Sequence, residues 1–419
     1  MTEREFAIEV VARLQHAGHQ ALWAGGCVRD ELLGFDPADY DIATDARPEQ
    51  VKALFRRCHS FGASFGVVEV LGPKLASGEW LKVQVATFRS DGTYSDGRRP
   101  DSVTFSSPEE DAERRDFTIN GMFFDPIAKQ TIDYVGGKTD LDARVLRAIG
   151  NPRERFAEDK LRLLRAVRMA ARFELTIDPA THLAAKQMAA EIRVVSPERI
   201  AEELRKMLSH RHRSRGFRLL HDFDLVAPIL PELLPTIVEN DGAEWERIAK
   251  MLAVLTGPLW PEPAAGSFPL AFAVVLHGLG SRVAGNIGRR LRLSNIEIER
   301  LVWLVEKHRF LSDAPTMRAS QLKPVLVQPG IGELLALHRA DAVANGQSTE
   351  PIEFCEAMLR DTPYDELNPL PLLTGDDLLA AGWRPGPDFR RVLEAVRNEQ
   401  LDGLVTTPTG ALQRANELR

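Results

Sequence analysis

Residues 22–34 and 39–45 decide the fold; they read Leu-Trp-Ala-Gly-Gly-Cys-Val-Arg-Asp-Glu-Leu-Leu-Gly and Asp-Tyr-Asp-Ile-Ala-Thr-Asp. Two aspartates, Asp39 and Asp41, follow Arg29 at a distance of ten residues and are separated by one residue. In an extended strand, residues i and i+2 point to the same face, so both carboxylates are expected to project together. Adjacent carboxylates repel each other unless cations lie between them. The pair therefore predicts a site for Mg²⁺ and for nucleotide phosphates.

The glycine pair before this arginine suits the same ligand. A turn at Gly25 and Gly26 lets the backbone approach a triphosphate closely and point its N–H groups at phosphate oxygens. An Asp-x-Asp beside a tight turn is also common on ordinary protein surfaces, so the rest of the chain has to decide.

Composition and length narrow the class of protein. A chain of 419 residues is too long for one compact hydrophobic core, so we expect two to four domains. Its composition is that of ordinary globular proteins. We find neither an apolar run of about 20 residues nor a signal peptide at the N-terminus, and we expect a cytoplasmic protein without membrane contact. The three scattered cysteines predict neither a disulfide framework nor a zinc site. A net charge of −7 excludes a uniformly basic surface, but a local basic face remains compatible with nucleic-acid binding.

Hydrophobic patterns divide the chain into two parts. The first 150 residues mix an N-terminal helix, reaching about Ala17, with strands expected at Ala21–Ala24, Asp39–Ala43, Val67–Leu71 and Leu81–Phe88. Asp-Gly steps and a proline between Phe88 and Val103 predict an exposed loop. From about Pro152, amphipathic helical patterns dominate, as in Phe156–Phe173, Pro179–Ile192 and Pro197–Leu208. We expect an α+β fold in which a small head domain with a mixed sheet precedes helical domains, and a connector at Gly257–Gly266.

A second informative segment spans Glu113–Asn120, with the sequence Glu-Arg-Arg-Asp-Phe-Thr-Ile-Asn. Adjacent arginines can grip phosphate oxygens bidentately, and the carboxylate of Asp116 can accept a hydrogen bond from a sugar hydroxyl. Taken alone, this segment is better explained as a solvated charge cluster that precedes an apolar strand.

A third segment, Glu158–Arg168, places charges every three residues at Asp159, Arg162, Arg165 and Arg168. On one helix these side chains form a single stripe. A carboxylate beside a guanidinium has the donor and acceptor pattern needed to read a base. Asp159 can accept from the exocyclic amine of cytosine or adenine, whereas uracil and guanine present a carbonyl there. In an isolated helix the same stripe is ordinarily an exposed ion-pair ladder.

Together, in this order, the motifs resemble the class II tRNA nucleotidyltransferases, which are the CCA-adding enzymes and their relatives the bacterial poly(A) polymerases. Asp133–Asp140 is similar to the hinge motif of that family, and the Ser-Pro-Glu-Arg-Ile-Ala-Glu-Glu-Leu of 196–204 to its later helical motif. Five spaced motifs over residues 20–210 make coincidence negligible.

The resemblance implies an architecture and a set of roles. It divides the chain into a nucleotidyltransferase head (1–150), a helical neck (151–212), a helical body (213–350) and a helical tail (351–419) that contacts tRNA. It assigns Asp39 and Asp41 as catalytic metal ligands. The implied nucleotide-binding residues are Gly25, Gly26, Arg29, Arg115, Asp116, Asp159, Arg162, Arg165 and Arg168. The segment Asp91–Arg99 resembles the flexible loop associated with adding the terminal adenosine.

Two positions depart from the family pattern. Gln84 stands where many relatives have an acidic residue, so no third metal carboxylate is assigned there. His277 is followed by glycine where some relatives have a His-Asp phosphohydrolase pair. We therefore expect no metal-dependent phosphatase and interpret His277 as a packed or capping histidine.

The expected reaction is template-independent addition of CCA, or of the terminal A, to the 3′ end of tRNA from CTP and ATP, with Mg²⁺ as cofactor. An enzyme that adds only A and works after a separate CC-adding enzyme fits the motifs equally well. A poly(A) polymerase and a non-catalytic RNA-binding relative rank lower. The basic run His210–Arg218 can contact the phosphates of an RNA backbone or form a solvated face of the protein.

Overall fold

The computed structural model describes residues 1–61, 66–75, 78–92, 102–255, 267–384 and 386–419. They form two compact units, Met1–Met207 with Arg215–Pro231 and Leu208–Ser214 with Glu232–Arg419. The predicted loop at Asp91–Arg99 lies outside the described residues from position 93 onward, and the predicted connector at Gly257–Gly266 lies outside them entirely. The four-part division into head, neck, body and tail stays a prediction.

Strands are confined to the first unit within the described residues. They are β1 (Ala21–Ala24), β2 (Asp41–Thr44), β3 (Cys58–Phe61), β4 (Val67–Lys74), β5 (Trp80–Thr87), β6 (Arg89–Asp91), β7 (Val103–Phe105), β8 (Phe123–Asp125), β9 (Gln130–Ile132), β10 (Val145–Leu146) and β11 (Thr176–Ile177). Seven of these described strands form one sheet in the order β3-β4-β5-β2-β1-β8-β9. Strand β2 runs parallel to β5, and the other neighbours in this sheet are antiparallel.

One face of this sheet is buried and the other is open. Along β5, Leu81, Val83 and Val85 are buried, whereas Lys82 and Gln84 between them are exposed. This period of two is the pattern of a sheet that covers a core on one side only. The open face carries Asp41 at the start of β2, so the fold presents this carboxylate away from the core.

The helices of the first unit pack around this sheet and continue beyond it. They are α1 (Glu3–His16), α2 (Gly26–Leu32), α3 (Pro48–Leu54), α4 (Pro108–Glu113), α5 (Gly137–Asp142), α6 (Pro152–Glu158), α7 (Leu161–Arg172), α8 (Pro179–Met188), α9 (Pro197–Leu208), α10 (Arg213–Asp222), whose first residues belong to the second unit, and α11 (Val226–Ile229). Helix α1 begins with a capping box in which Thr2 and Glu5 bond each other's backbone. The predicted α+β class, with a sheet-containing head followed by helices, is confirmed.

Two local predictions were wrong. The single helix expected over Phe156–Phe173 is two helices, because Asp159 adopts an extended backbone (φ −143°, ψ 106°) and its side chain accepts the N–H of Leu161. Short aspartate side chains compete with the helix for such backbone donors, which ends α6 and starts α7. The strand expected from Asp39 begins only at Asp41, where pairing with Gln84 of β5 starts.

Helices also form the second unit. They are α12 (Leu234–Val238), α13 (Ala243–Val254), α14 (Phe268–Leu276), α15 (Ser281–Arg290), α16 (Asn295–Lys307), α17 (Ala319–Leu326), α18 (Ile331–Ala344), α19 (Glu350–Asp361), α20 (Tyr364–Leu367), α21 (Gly375–Ala380), α22 (Pro387–Leu401) and α23 (Pro408–Glu417). The last three pack around a buried cluster that includes Leu378, Trp383 and Val392. None of the described helices in either unit has the length and apolarity that a bilayer span requires.

His277 lies inside the second unit as a packed side chain. It is 2% exposed, and its Nδ1 lies 2.8 Å from the carbonyl oxygen of Val274. Its Nε2 lies 2.5 Å from a guanidinium nitrogen of Arg247, which also bonds Glu244 and Asp341. Burial lowers the pKa of His277, and the charge of Arg247 adds to that shift. Among the described residues, no group of three or more histidine, cysteine and acidic side chains is arranged to hold a metal.

Candidate active site

The turn after β1 is built from a glycine that no other residue can replace without strain. Gly25 has φ +75° and ψ −122°, and it precedes the first residue of α2. A Cβ atom at Gly25 would lie 2.7 Å from Nη1 of Arg115. The turn therefore places backbone directly against this guanidinium, where a side chain would displace it. At Gly26 a Cβ would meet only an ordinary contact, 3.6 Å from Arg29.

The two aspartates of the first motif lie at the wall of one cavity, together with this turn. Asp41 is exposed on one side, but the protein atoms around it partly desolvate its carboxylate; this desolvation and then the charge of Asp39 raise the pKa of Asp41 to about 6, and the charge of Arg115 opposes that shift only in part. The carboxylates thus repel each other without full compensation from protein cations. A divalent cation between them would remove this repulsion, and oxygen ligands are what Mg²⁺ prefers. On this chemistry the residues fit a metal site.

Among the described residues, no third carboxylate lies close enough to Asp39 and Asp41 for the three to hold one metal. Across the open face of the sheet, Asp41 of β2 is in register with Gln84 of β5, and Gln84 is in register with Glu69 of β4. The side chain next to Asp41 is therefore an amide. Two carboxylates and an amide oxygen form a weaker and less charged ligand set than three carboxylates.

The adjacent arginines of the second motif are held in place by one buried aspartate. Asp111 accepts from Nη2 of Arg114 at 2.7 Å and from Nη2 of Arg115 at 2.9 Å. Burial alone would raise the pKa of Asp111, but the charges of Arg115 and Arg114 lower it below its usual value. Arg115 also donates to the carbonyl of Asn120 at 3.3 Å. Both guanidinium groups are thus fixed at the cavity and have N–H groups left for an anion.

Asp116 is a buried, fully ionised acceptor. Its Oδ1 accepts from its neighbour's backbone, Phe117 N–H at 2.8 Å, and from Asn120 Nδ2 at 2.9 Å. Its Oδ2 accepts from Nε and Nη2 of Arg165 at 2.9 and 2.5 Å. Burial opposes ionisation, but the charge of Arg165 and the bond from Asn120 hold the pKa of Asp116 well below its usual range. These four bonds take up the roughly four acceptor positions of a carboxylate, so Asp116 can accept a ligand hydroxyl only if one of its present donors moves away.

Arg29 is more deeply buried than the first motif suggested. Its guanidinium stacks 4.2 Å from the ring of Phe173 and donates to Asp30 from both Nε and Nη2. Its Nη1 donates to Oδ1 of Asn120 at 2.5 Å. Arg29 reaches the cavity wall, but its bonds to Asp30 and Asn120 use three of the five N–H groups of its guanidinium.

The charged residues of the third motif come from the junction of α6 and α7. Asp159 lies between the two helices, so the expected four-residue stripe is a three-residue stripe on α7 preceded by an extended aspartate. Arg162 donates to Glu158, to the carbonyl of Arg155 at 2.9 Å and to that of Arg114 at 3.2 Å. Arg168 donates to Glu203 of α9 at 2.5 Å, with both groups buried.

All eleven residues predicted from the sequence line one cavity of about 520 Å³ in the first unit. The cavity wall contains five further residues that the motifs did not single out: Arg114, Asn120, Leu161, Met169 and Arg199. Arg114 and Asn120 lie inside the second motif, and Arg199 lies inside the quoted helical motif at 196–204. Their positions were visible in the sequence, but their partners were not.

Comparison with known proteins places this arrangement in a family. Residues 21–147 match the Poly A polymerase head domain, and residues 174–236 match the probable RNA and SrmB-binding site of polymerase A. Poly(A) polymerase I of Escherichia coli is 38% identical over 260 residues, which are 59% of this chain and 54% of that protein. The chain therefore spans about half the length of these polymerases.

Other relatives match along the whole chain. The CCA-adding enzyme of Limosilactobacillus fermentum is 32% identical over 419 residues, covering 99% of this chain and 96% of that enzyme. The crystal structure of the Bacillus stearothermophilus CCA-adding enzyme in complex with CTP superposes with a TM-score of 0.79 at 27% identity, over 100% of this chain and 98% of that chain. The chain belongs to the family of CCA-adding enzymes and poly(A) polymerases, the class II tRNA nucleotidyltransferases. Nucleotidyltransferases of this family generally use a divalent metal.

Proposed function

We propose that this protein adds nucleotides to the 3′ end of tRNA without a nucleic-acid template, using CTP and ATP and releasing pyrophosphate. The observation that carries the proposal is the single cavity that collects two carboxylates, a glycine turn and a set of fixed arginines. Such a cavity has separate partners for phosphates, for a sugar hydroxyl and for a base.

The phosphates would be bound on the arginine side of the cavity. Arg115 is fixed by Asp111 against Gly25, so its remaining donors face a triphosphate without further ordering. The ionised carboxylate of Asp116 would accept a ribose hydroxyl in exchange for one of its four present donors, while the remaining bonds keep it in place. Asp159 and Arg162 would face the base, with Arg168 supporting α7 through Glu203. These residues would bind the nucleotide and hold it in the reactive orientation. That reduces the entropic cost of bringing it together with the RNA 3′ end.

Asp39 and Asp41 would hold Mg²⁺. When bound, that ion would favour ionisation of the RNA 3′-hydroxyl and neutralise charge that develops on the α-phosphate. The protein keeps this end of the cavity open because Asp41 projects from the exposed face of the sheet.

The length of the matches favours a tRNA substrate. The CCA-adding enzyme of Limosilactobacillus fermentum is matched over almost its whole length, including the helical part, whereas poly(A) polymerase I is matched over about half. We further propose the division into head (1–150), neck (151–212), body (213–350) and tail (351–419), with the tail contacting tRNA. The cysteines of the described chain are unpaired, which suits a reducing cytoplasm.

An enzyme that adds only the terminal A after a separate CC-adding enzyme uses the same groups. The distinguishing experiment measures incorporation of labelled CTP and ATP, with Mg²⁺, into tRNA ending at the discriminator base, at C or at CC. Growth of all three ends to CCA is the expected result for the full reaction. A single A added only to the CC end would identify the A-adding specialist. Long A tails on unrelated RNA would identify a poly(A) polymerase, and no incorporation by an intact, folded sample would refute the proposal.

A further inference from the structure

The carboxylate of Asp159 is held by an arginine from another helix. Arg199, in the first turn of α9, donates to Oδ2 of Asp159 through Nη2 at 2.6 Å and to Oδ1 through Nη1 at 3.2 Å. The backbone N–H of Leu161 donates to the same Oδ1 at 3.0 Å. Two parallel bonds from one guanidinium fix the plane of a carboxylate as well as its position. Both side chains are largely covered, so solvent screening of this pair is reduced.

Arg162 does not share this task, because its guanidinium is directed to other groups. It donates to Glu158 of α6 and to the backbone carbonyls of Arg155 and Arg114. The carboxylate that the sequence pairs with Arg162 is thus oriented by Arg199, 40 residues farther along the chain.

The bonds to Asp159 leave room for a base. An ionised carboxylate has about four acceptor positions. Oδ1 uses two of them, for Leu161 and Arg199, and Oδ2 uses one, for Arg199. The open position on Oδ2 can accept an exocyclic amine while Arg199 stays bound. Since Arg199 itself lines the cavity, the pair meets a base without a change of partner.

We propose that Arg199 is a positioning residue for base selection: it fixes the Asp159 carboxylate so that it accepts the 6-amine of adenine or the 4-amine of cytosine and disfavours guanine and uracil, which have a carbonyl at that position. The inference rests on the proposed function and deepens it. Without Arg199 the carboxylate can rotate about its side-chain bonds, and its free oxygen no longer meets the base at one angle. The preference for ATP over GTP, whose carbonyl faces the carboxylate unfavourably, should then decrease.

The test compares kcat/KM for ATP and for GTP on tRNA ending in CC, a substrate that each of the nucleotide-adding alternatives can extend. Arg199→Ala should lower the ATP-to-GTP ratio by about tenfold or more, which corresponds to one good base contact. Arg199→Lys keeps the charge but not the paired bonds, so it should restore part of the ratio. The matched control is Arg205→Ala on the same helix, where the guanidinium bonds Glu202 at 2.5 Å. Its ratio should equal that of the wild type.

A double substitution separates positioning from general damage. On an Asp159→Asn background, Arg199→Ala should not change the ATP-to-GTP ratio further, because the group it positions is gone. A purely structural role would instead lower kcat for both nucleotides equally and leave the ratio unchanged. Retention of the wild-type ratio by a folded Arg199→Ala protein would overturn the inference. Failure of the wild type to extend any tRNA end would refute the proposed function.

Discussion

At the scale of single residues, Gly25 meets two separate demands, one of backbone and one of space. Its φ of +75° with ψ of −122° is a region that only glycine adopts readily, and Arg115 fills the space of a Cβ. Replacement by alanine should therefore destabilise the fold and also move Arg115. For the strain alone we expect a loss of about 1–3 kcal/mol in the free energy of unfolding.

Gly18→Ala separates these effects, because Gly18 has φ +87° but open space around its Cβ position. It should lower the melting temperature without changing KM for ATP, whereas Gly25→Ala should also raise that KM by about fivefold, or about 1 kcal/mol. The measurements are thermal unfolding and steady-state kinetics on tRNA ending in CC. Equal KM values for the two variants would contradict the contact between Gly25 and Arg115.

The pKa of Asp41 predicts how stability depends on pH in the absence of metal. Folding raises this pKa from 3.8 to about 6, so the folded state binds the proton more strongly than the unfolded state between these values. Stability contributed by this group is therefore lost as the pH rises from about 4 to about 6. Asp41→Asn removes the loss and should stabilise the metal-free protein at pH 7.5.

Because Asp41 is open to solvent on one side, this gain should not exceed about 1 kcal/mol. Urea unfolding in EDTA at several pH values measures it, and the gain should shrink between pH 6 and pH 4. Asp36→Asn, an exposed position before the same strand, is the control and should show no such gain. A gain for Asp41→Asn that is independent of pH would contradict the assigned repulsion.

The candidate site could be predicted from the sequence better than its internal bonds. All eleven predicted residues lie along the cavity, because each motif is short and its residues are brought together by local structure. The partners of these residues were not predictable. Asp159 with Arg199 and Arg168 with Glu203 are pairs 40 and 35 residues apart, whose contact depends on how α9 packs on α7.

At the scale of elements, the helix α9 is tied to α7 by a buried ion pair. Glu203 and Arg168 are 4% and 8% exposed, and Oε2 of Glu203 accepts from Nε of Arg168 at 2.5 Å. Removing the carboxylate would leave a buried guanidinium without its partner. Glu203→Ala should therefore lower the free energy of unfolding by about 3 kcal/mol.

The adjacent residue offers a matched control. Glu202 lies on the exposed side of α9 and pairs with Arg205 and Lys206 of the same helix. Glu202→Ala should change the free energy of unfolding by no more than about 0.5 kcal/mol. Chemical denaturation measures the loss in the free energy of unfolding for both variants. Losses of equal size would contradict the expectation that removing Glu203 leaves an unpaired buried charge.

Element boundaries were predictable where the hydrophobic pattern is long, as in α1, β4 and β5, or unbroken, as in the four apolar residues of β1. Strand β1 and helix α1 were expected close to where they lie, and β4 and β5 were expected within three residues at each end. The four-residue β3 and the three-residue β8 and β9 were missed, because so few residues show no period. The break between α6 and α7 was missed because it depends on one side-chain bond of Asp159.

At the scale of the whole molecule, catalysis and RNA binding are expected to be separable. The head-domain match, residues 21–147, contains Asp39 and Asp41, and the match to a probable RNA-binding site lies at residues 174–236, so we expect the metal ligands and the main RNA contacts to lie in different stretches. RNA affinity comes mainly from many contacts with phosphates, whereas the proposed metal site consists of Asp39 and Asp41. Asp41→Ala should abolish nucleotide incorporation and leave the tRNA dissociation constant within about twofold of the wild type.

Filter binding of labelled tRNA at fixed salt, with and without EDTA, measures this constant beside the incorporation assay. Chelation of the metal from the wild type should reproduce the behaviour of the variant. Parallel loss of tRNA binding and incorporation would show that the metal site also holds the RNA. Normal incorporation by Asp41→Ala would remove this residue from the metal site.

Cys27 in α2 is a buried cysteine, and its surroundings determine how readily it reacts. The thiol of Cys27 is buried, with its sulfur 3.4 Å from the carbonyl oxygen of Ala24 and 3.8 Å from that of Asp41. Burial raises the pKa of Cys27 to about 12, so the reactive thiolate is almost absent at neutral pH. Oxidants and alkylating reagents should therefore spare this cysteine in the folded protein, although its sulfur lies against the backbone of the proposed metal ligand Asp41. Modification of Cys27 by such a reagent would report how often the backbone around Asp41 opens.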